Sequence, residues 1–512
     1  MLGQPTNSKI DTTNNNLDEI IITATKTERV LSSLPLNVSI IKKSEIEKTN
    51  ATRLSDLINE ELGLITVSDF GGGEGIQMQG LDSEYTLILI DNQPLIGRSA
   101  GTLDLNRISV GNIKQIEIVR GPSSSLYGNK AFAGVINIIT EEPKTGLKGN
   151  VISSYETHNT FDNNIQFSYK KNNFYSSVFF NNYCSDGYDL IEDDGLNTVN
   201  KFKTKTLQIK LGQNLGESLK IRINARHYTQ LIDNVAPNSL SGETFTSEDN
   251  INFTISHKSE KIKTDFEVYF TSYIGDQFLD DEQGNRFSES FYDQILLKPE
   301  IKTVYKINNK KEFVFGLGNE YETLNRTYFE IEPKQNSPFI YFQYDYNPSD
   351  KINLILGGRF DKYKEYKSQI SPKFSGIYKI KNNESIRIST GYGYKTPDFR
   401  QLYFNFSNST VGYSVIGYNV VEDVLNQLID EGQIANIIVP IEEFEDPLSP
   451  ESSFGVNIGY DRKIDEKISL STNLFSNSAK NLIDYRVIAN KNNGQNVFSY
   501  YNVNNVSTFG FD

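Results

Sequence analysis

The sequence predicts a mainly β protein, an antiparallel transmembrane β-barrel over residues 147–512 preceded by a compact α+β domain, and three observations carry that prediction. From about Leu147 onward, apolar and polar residues alternate with a period of two, which gives each strand one apolar and one polar face. Short turns and long polar connections alternate strictly through the same region, as a membrane barrel requires, with tight turns on one rim and loops on the other. Finally, no run of about 18 apolar residues occurs, so no helix is expected to cross a bilayer, whereas a barrel strand needs only every second residue apolar.

The bulk numbers remove other classes. A formal charge of −14 argues against nucleic acid, because phosphates reward clustered Lys and Arg. Cys184 is the single cysteine, so no internal disulfide forms and the redox compartment stays open. Tryptophan is absent, but 29 tyrosines and 31 phenylalanines can fill the aromatic girdles of a barrel.

In chain order, residues 1–17 form a polar Asn/Thr-rich leader without the positive patch and apolar core of a secretory signal. Removal of such a signal is expected, with Gly3-Gln4 as a mature start. Residues 18–24, DEIIITA, read as a short strand with no partner inside its own chain, or else as the first strand of the next domain. Residues 25–146 mix short strands such as Thr86–Asp91 with helix-like pieces. One lies in Ser44–Leu62, where Ile46, Leu54, Leu57 and Ile58 recur at near-helical spacing. The glycine cluster Phe70–Gly75 is no phosphate loop, because no Gly-Lys-Ser/Thr follows.

Beyond residue 147 the alternation is explicit. In Lys220–Tyr228, Ile221, Ile223 and Ala225 share one face and Arg222, Asn224 and Arg226 the other. In Ser385–Tyr394, Ile386, Ile388, Thr390, Tyr392 and Tyr394 should point outward, with Arg387, Ser389 and two glycines inward; Lys467–Asn473 repeats the pattern. Short turns are expected at 171–173, 214–217, 259–260, 308–309, 347–350, 382–383 and 465–466. Long connections are expected at about 185–200, 230–243, 274–290, 323–336, 395–449 and 487–496, giving roughly sixteen strands.

The run Ile116–Thr140, IEIVRGPSSSLYGNKAFAGVINIIT, resembles the end of the plug domain of TonB-dependent outer-membrane receptors. The match includes Arg120-Gly-Pro122, Leu126-Tyr-Gly128 and the apolar strand Gly134–Ile139. The resemblance implies a plug inside the lumen of a twenty-two-stranded barrel in a Gram-negative outer membrane, so that about six C-terminal strands would be missing from this chain. It makes residues 18–24 the TonB box, with Glu19, Ile20, Ile21, Ile22 and Thr23 pairing edge to edge with TonB of the TonB-ExbB-ExbD complex. It also implies a monomeric barrel in outer-membrane lipid. Two departures stand out: Gln79-Gly80 where the family has Arg-Gly, and Asp91-Asn92 where it has Asp-Gly. Arg120 matches a plug arginine that pairs with barrel carboxylates in the family, and Glu451 is its expected partner in a buried latch, weakened or rearranged by the loss of the first arginine.

No catalytic motif and no resident cofactor is expected. His158, His227 and His257 lie on strands or beside turns, outside any hydrolase or zinc pattern. The resemblance ranks cargoes as ferric siderophore or other iron complex first, then haem, then cobalamin. Haem is weakened because no histidine lies between Tyr394-Lys-Thr-Pro397 and Asp446-Pro-Leu-Ser-Pro-Glu451, although tyrosine could ligate haem iron. In the 395–449 connection, Arg400, Tyr403 and Tyr413, with Phe404, Phe406 and Tyr418, could grip an anionic, partly apolar cargo or simply pack the loop. Glu74 and Arg98 are the plug residues expected to face it. Asp186, Asp189, Asp193 and Asp194, beside Glu192, could hold calcium, although their irregular spacing favours a solvated loop. Two other classes remain, a passive porin-like channel and a β-rich surface adhesin.

Overall fold

The computed structural model describes residues 19–61, 63–68, 73–99, 101–191, 196–237, 239–408, 412–465 and 468–512, excluding the Asn504 side chain. Its N-terminal domain is built on a five-stranded sheet ordered Val38–Lys42, Ile113–Arg120, Gly134–Thr140, Thr86–Ile90, Gln93–Pro94. Gly134–Thr140 pairs parallel with Thr86–Ile90, the connection type that needs cover on both faces. One face, through Ile116, Ile118, Ile136 and Ile138, packs on the helices Lys43–Thr49 and Leu54–Ile58. The other, through Val119, Val135, Leu87 and Leu89, packs on Ile21, Leu34, Leu36 and Tyr127, and reaches the barrel side chains Val304, Val314, Phe339 and Tyr341. Burial on two faces explains why IEIV and GVINII read as nearly unbroken apolar runs.

The remaining chain forms one nineteen-stranded sheet in which neighbours follow sequence order. Three of its strands, Asn405–Asn408, Tyr413–Ile416 and Ile434–Ile437, belong to the long 396–450 connection, leaving sixteen antiparallel wall strands from Gly146–Glu156 to Asn496–Phe511. Among the described residues these first and last strands are not hydrogen-bonded to each other. No described helix is long and apolar enough to cross a membrane.

The wall surrounds the N-terminal domain. Inward groups contact it from strand after strand: Asn181 and Asp162 on Arg53, Gln208 on Asn112, Arg226 on the Arg107 carbonyl, Tyr269 on the Pro94 carbonyl, Gln343 on the Thr25 carbonyl, Arg387 on the Leu36 carbonyl and Asn457 on Gln79. Strand Lys334–Ser349 shows the alternation cleanly, with Phe339, Tyr341, Gln343 and Asp345 buried and Ile340 and Phe342 exposed. The exposed partners, with Ile251, Phe266, Ile301, Leu356, Phe374, Ile386 and Phe454, make an outer apolar surface that suits lipid and not water. Tyr169, Phe174, Tyr305 and Tyr378 point outward near the short-turn rim, where an aromatic girdle belongs.

Three expectations need correction. The 230–243 and 274–290 segments are largely strand, because Leu219–Ala236, Leu240–Lys258, Ile262–Asp280 and Arg286–Asn308 run 18, 19, 19 and 23 residues. A bilayer needs about 10 per strand. The excess stands as paired ribbon beyond it, where backbone pairing tolerates polar side chains on both faces. Tyr394, expected outward, is wholly buried: its amide donates to the Ser124 hydroxyl and its hydroxyl meets that of Tyr363 at 3.0 Å. The two glycines of that strand do face inward, and a Cβ on them would lie 3.0 Å from the Pro122 carbonyl and from Phe132 Cα, so their absence of side chain brings wall and plug together. Finally, the 18–24 segment is not partnerless, as its described residues show. Ile20–Ile21 pairs antiparallel with Arg29–Val30, and Ile21 is fully buried.

Candidate functional site

At the long-loop end, plug and wall together line a narrow cup with about 50 Å3 of space for water-sized molecules. The plug contributes Glu84, Arg98, Gly101, Asn129 and Lys130. The wall contributes Tyr292, Gln294, Glu322 and Arg326, and the start of the long connection adds Lys395, Asp398, Phe399 and Arg400. Backbone conformation sets the plug side. Gly97, at φ +85°, lets the Tyr273 ring sit where a Cβ would lie only 2.4 Å from it, and Gly101, at φ +107°, leaves room for the Arg400 guanidinium. Arg98, on the loop between them, donates to the carbonyls of Ser83 (3.1 Å) and Thr86 (2.7 Å). Burial lowers its pKa to about 10, so it stays charged at neutral pH. Arg400 is carried by the short helix Phe399–Tyr403, whose N-terminus is capped by Asp398 accepting from the Gln401 amide at 2.7 Å.

A wider vestibule of about 990 Å3 adjoins the cup and shares Tyr292 and Arg326 with it. Its cations Arg53 and Arg107 are already engaged. Arg53 lies 3.9 Å over the Tyr183 ring and pairs with Asp162, and Arg107 is bonded to the buried Glu248, which with the nearby tyrosines outweighs burial and raises the guanidinium pKa.

Of the five residues proposed for cargo, the cup brings together Arg98 and Arg400 only. Tyr403 packs edge-on against Phe329, Tyr413 sits between Phe406 and Phe498, and Glu74 begins a hairpin strand with its amide on Asp104. Sequence reasoning missed Arg326, Lys130 and Tyr292. Arg326 ends a long strand in Asn-Arg-Thr-Tyr, where no local pattern distinguishes it from any loop arginine.

The expected Arg120–Glu451 latch is corrected. Arg120 bonds Ser39 at 2.8 Å and Glu61 at 3.5 Å, inside the plug. Its neighbour Gly121 faces Asn457, six residues along the strand Glu451–Lys463, which at about 3.3 Å per residue leaves Glu451 far out of reach. Glu451 is instead fully buried against Lys395 (2.6 Å), the Tyr85 hydroxyl (2.7 Å) and the Ile483 amide (2.8 Å). Burial, then Glu84 and Glu451, push the Tyr85 phenol far above its ordinary pKa, so it remains the donor.

At the opposite, short-turn end lies the N-terminal segment. The fully buried Glu117 carboxylate accepts from the amides of Ile22 (3.1 Å) and Thr23 (2.8 Å) and from the Thr23 hydroxyl (2.5 Å). Asn137 donates to that hydroxyl at 2.7 Å, and Tyr127 donates to the Thr23 carbonyl at 2.9 Å. Lys26 pairs with Glu300 at 2.8 Å, and Arg29 with Glu312 and Asp345, so the segment is fixed to both plug and wall.

No group of three or more potential metal ligands occurs among the described residues. Asp186 accepts from Asn159, and Asp189 from Ile191 and Thr198; Asp193 and Asp194 lie outside the described residues. The three histidines lie apart: His158 against Tyr188, His227 on Asp249, His257 exposed.

Two family models match the chain, one described as the TonB-dependent Receptor Plug Domain over residues 30–135 and one as TonB dependent receptor-like, beta-barrel over 147–512. The chain is 24% identical over 426 residues to an iron-regulated outer membrane virulence protein of Vibrio cholerae serotype O1, covering 78% of this chain and 63% of that protein. It therefore spans less than two thirds of that relative's length. It is 36% identical over 139 residues to the vitamin B12 transporter BtuB of Vibrio vulnificus, covering 27% of this chain and 22% of that one. Among solved structures, the siderophore receptor PirA of Acinetobacter baumannii superposes with a TM-score of 0.74 at 17% identity, covering 94% of this chain and 77% of that chain. The ferric enterobactin receptor PfeA of Pseudomonas aeruginosa gives 0.75 at 16%, covering 96% and 78%. At such identities the likeness is one of fold.

Proposed function

Because this chain belongs to the TonB-dependent receptor family, we propose that it imports a ferric siderophore or another iron complex across the outer membrane, drawing energy from TonB of the TonB-ExbB-ExbD complex. The observation that carries this reading is the placement of two sites at opposite ends of one plug: a polar, arginine-bearing cup above, and a docked extended segment below. Cargo in the cup reports its presence only if it binds one plug arrangement more tightly than another. TonB can pair with residues 19–23 only once they leave Arg29–Val30 and Glu117. Residues 25–146 then serve as the plug and residues 147–512 as its wall. Iron is favoured over other nutrients by the iron-regulated relative and the siderophore-receptor folds. Cobalamin is the second reading, on the 36% identity to a vitamin B12 transporter, which covers 27% of the chain.

The test is uptake of radiolabelled iron complexes by iron-starved cells that depend on this receptor. Ile21→Pro removes a donor that strand addition needs. It should abolish energised uptake while cargo binding to outer-membrane vesicles persists. Undiminished uptake would overturn the reading.

A further inference from the structure

The long 396–450 connection builds a small core of its own at the loop end of the wall. Val421, Val424 and Leu425 of the helix Val421–Asp430 pack with Ile416 and Val439 on Ile488, Ala489 and Val497 of the last two wall strands. That core also holds the short strand Ile434–Ile437 through Ile434. The strand pairs antiparallel with residues 489–491 of Ser469–Lys491. Its neighbours in sequence, Tyr413–Ile416 and Glu451–Lys463, pair with other strands, so among the described residues its second side has no partner strand. The same stretch is bare: Ile437 is 42% and Ile438 47% exposed, with Ala435 and Asn436 exposed beside them. An uncovered apolar edge is a template for pairing, and proteins commonly guard one with a charge inside it. No charged residue occurs within 432–441. Pro440 closes the stretch and a register shift between Ile434 and Asn436 shortens its regular part, so it suits a short partner. The flanks carry one sign. Residues 401–461 contain no Lys or Arg, while four carboxylates between Glu422 and Glu431 precede the strand and four between Glu442 and Asp446 follow it. All eight are exposed, and Glu443 is the only one in a salt bridge among the described residues, with Arg486 at 2.6 Å. Lys491, opposite Ile434, is the one base on the paired stretch.

We propose that the strand Ile434–Ile437 is a docking edge, to which a short extended segment of another protein, apolar in its middle and flanked by Lys or Arg, adds as a further strand. Main-chain hydrogen bonds to the open side supply the hold, and Ile437 and Ile438 cover the apolar side chains of the incoming segment. The acidic flanks select positive charge and speed its arrival. Because the helix packed beside it keeps the edge formed beforehand, little further ordering accompanies docking. A second copy of this chain does not suit the edge, since pairing like with like sets the acidic flanks against each other. Its place at the long-loop end opens it to a partner outside the cell. The docking edge is independent of which cargo the receptor carries.

Fluorescence anisotropy of labelled peptides against the full chain in detergent tests the proposal. One probe alternates isoleucine and threonine between paired lysines at its ends. A second carries glutamates in place of the lysines, and a third is the lysine peptide with its central amides N-methylated, which removes the main-chain donors. The lysine peptide should bind, more weakly as salt is added. The glutamate and N-methylated peptides should each bind about tenfold more weakly or worse. Ile437→Lys, which guards the edge with a charge, should weaken binding of the lysine peptide about tenfold or more. Heat-modifiable gel migration checks that this variant is folded, and Ile438→Lys, on the more exposed neighbour, replaces it if it is not. No binding of the lysine peptide, equal binding of either control peptide, or indifference to the lysine substitution overturns the proposal. A receptor dimer in sedimentation that Ile437→Lys dissolves would assign the edge to a second copy and overturn it equally.

Discussion

Glu451 holds three donors from three directions in full burial, Lys395 across the strand pair, Tyr85 from the plug and Ile483 from the next strand. Glu451→Ala leaves the buried Lys395 ammonium only Glu84, at 3.5 Å, and an apparent stability loss of about 3 kcal/mol is expected in thermal unfolding of the detergent-solubilised protein. Tyr85→Phe removes a single bond and should cost about 1 kcal/mol. Asp91 carries a pH signature. Burial pushes its carboxyl pKa up, but Lys210 and the Thr140 hydroxyl and amide outweigh burial and hold it below the ordinary value. A folded pKa below the unfolded one of about 3.9 gives stabilisation that is complete above that pH and lost as pH falls through the folded value. The stability gap between the native protein and Asp91→Asn should therefore be constant near neutrality and narrow below about pH 4. The two departures from the family pattern also resolve at this scale. Asn92 takes φ +72° after Asp91 at +48°, the turn for which Asn-Gly or Asp-Gly is usual, and its side chain and amide bond Asn137. Gln79 exchanges amide bonds with Asn457 and Asn477, a neutral junction where the family's charge would sit. Neither partner set was legible in sequence, because each joins residues tens to hundreds apart.

Among the elements, the two-residue strand Ile20–Ile21 is too short to persist by its own ladder, and the Glu117 carboxylate, with Asn137 and Tyr127, holds Ile22 and Thr23 directly after it. Glu117→Ala should release it, seen as faster amide exchange or protease cleavage at residues 19–25 without unfolding of the barrel. Undisturbed protection there would reject this assignment of the clamp. The residues DEIIITA announced an extended segment but not its docking, since the receptor for Thr23 lies about a hundred residues later on strand Ile113–Arg120. Wall strands were legible because period two survives wherever one face meets lipid. The ribbons around 236–240 and 280–286 were not, because outside the bilayer polarity no longer tracks strand ends.

For the whole molecule, the inside-out arrangement of polar and apolar faces predicts opposite outcomes at adjacent positions. Phe342→Lys, on the outer face of strand Lys334–Ser349, should cost about 2–4 kcal/mol in folding into lipid. Gln343→Asn, one residue on and facing the plug, should cost under about 1 kcal/mol, since its bond to the Thr25 carbonyl is long at 3.4 Å. The cup resisted prediction because it exists only where a plug loop, a wall strand and the long 396–450 connection converge. Arg98 and Arg400 could be nominated singly, whereas Arg326 gained meaning only beside them.

One topological detail bears on mechanics. The sheet of the plug ends, on its N-terminal side, in Val38–Lys42, which is five residues long and joined to a single neighbour. Traction entering at Ile21 first meets the bonds of Thr23 to Glu117 and Asn137, on the second and third strands of that sheet, and only after these part does it run along the backbone to the outermost strand. The cork is thus strung so that a tug from below must first break its side-chain ties to the middle of the sheet before it strains the border.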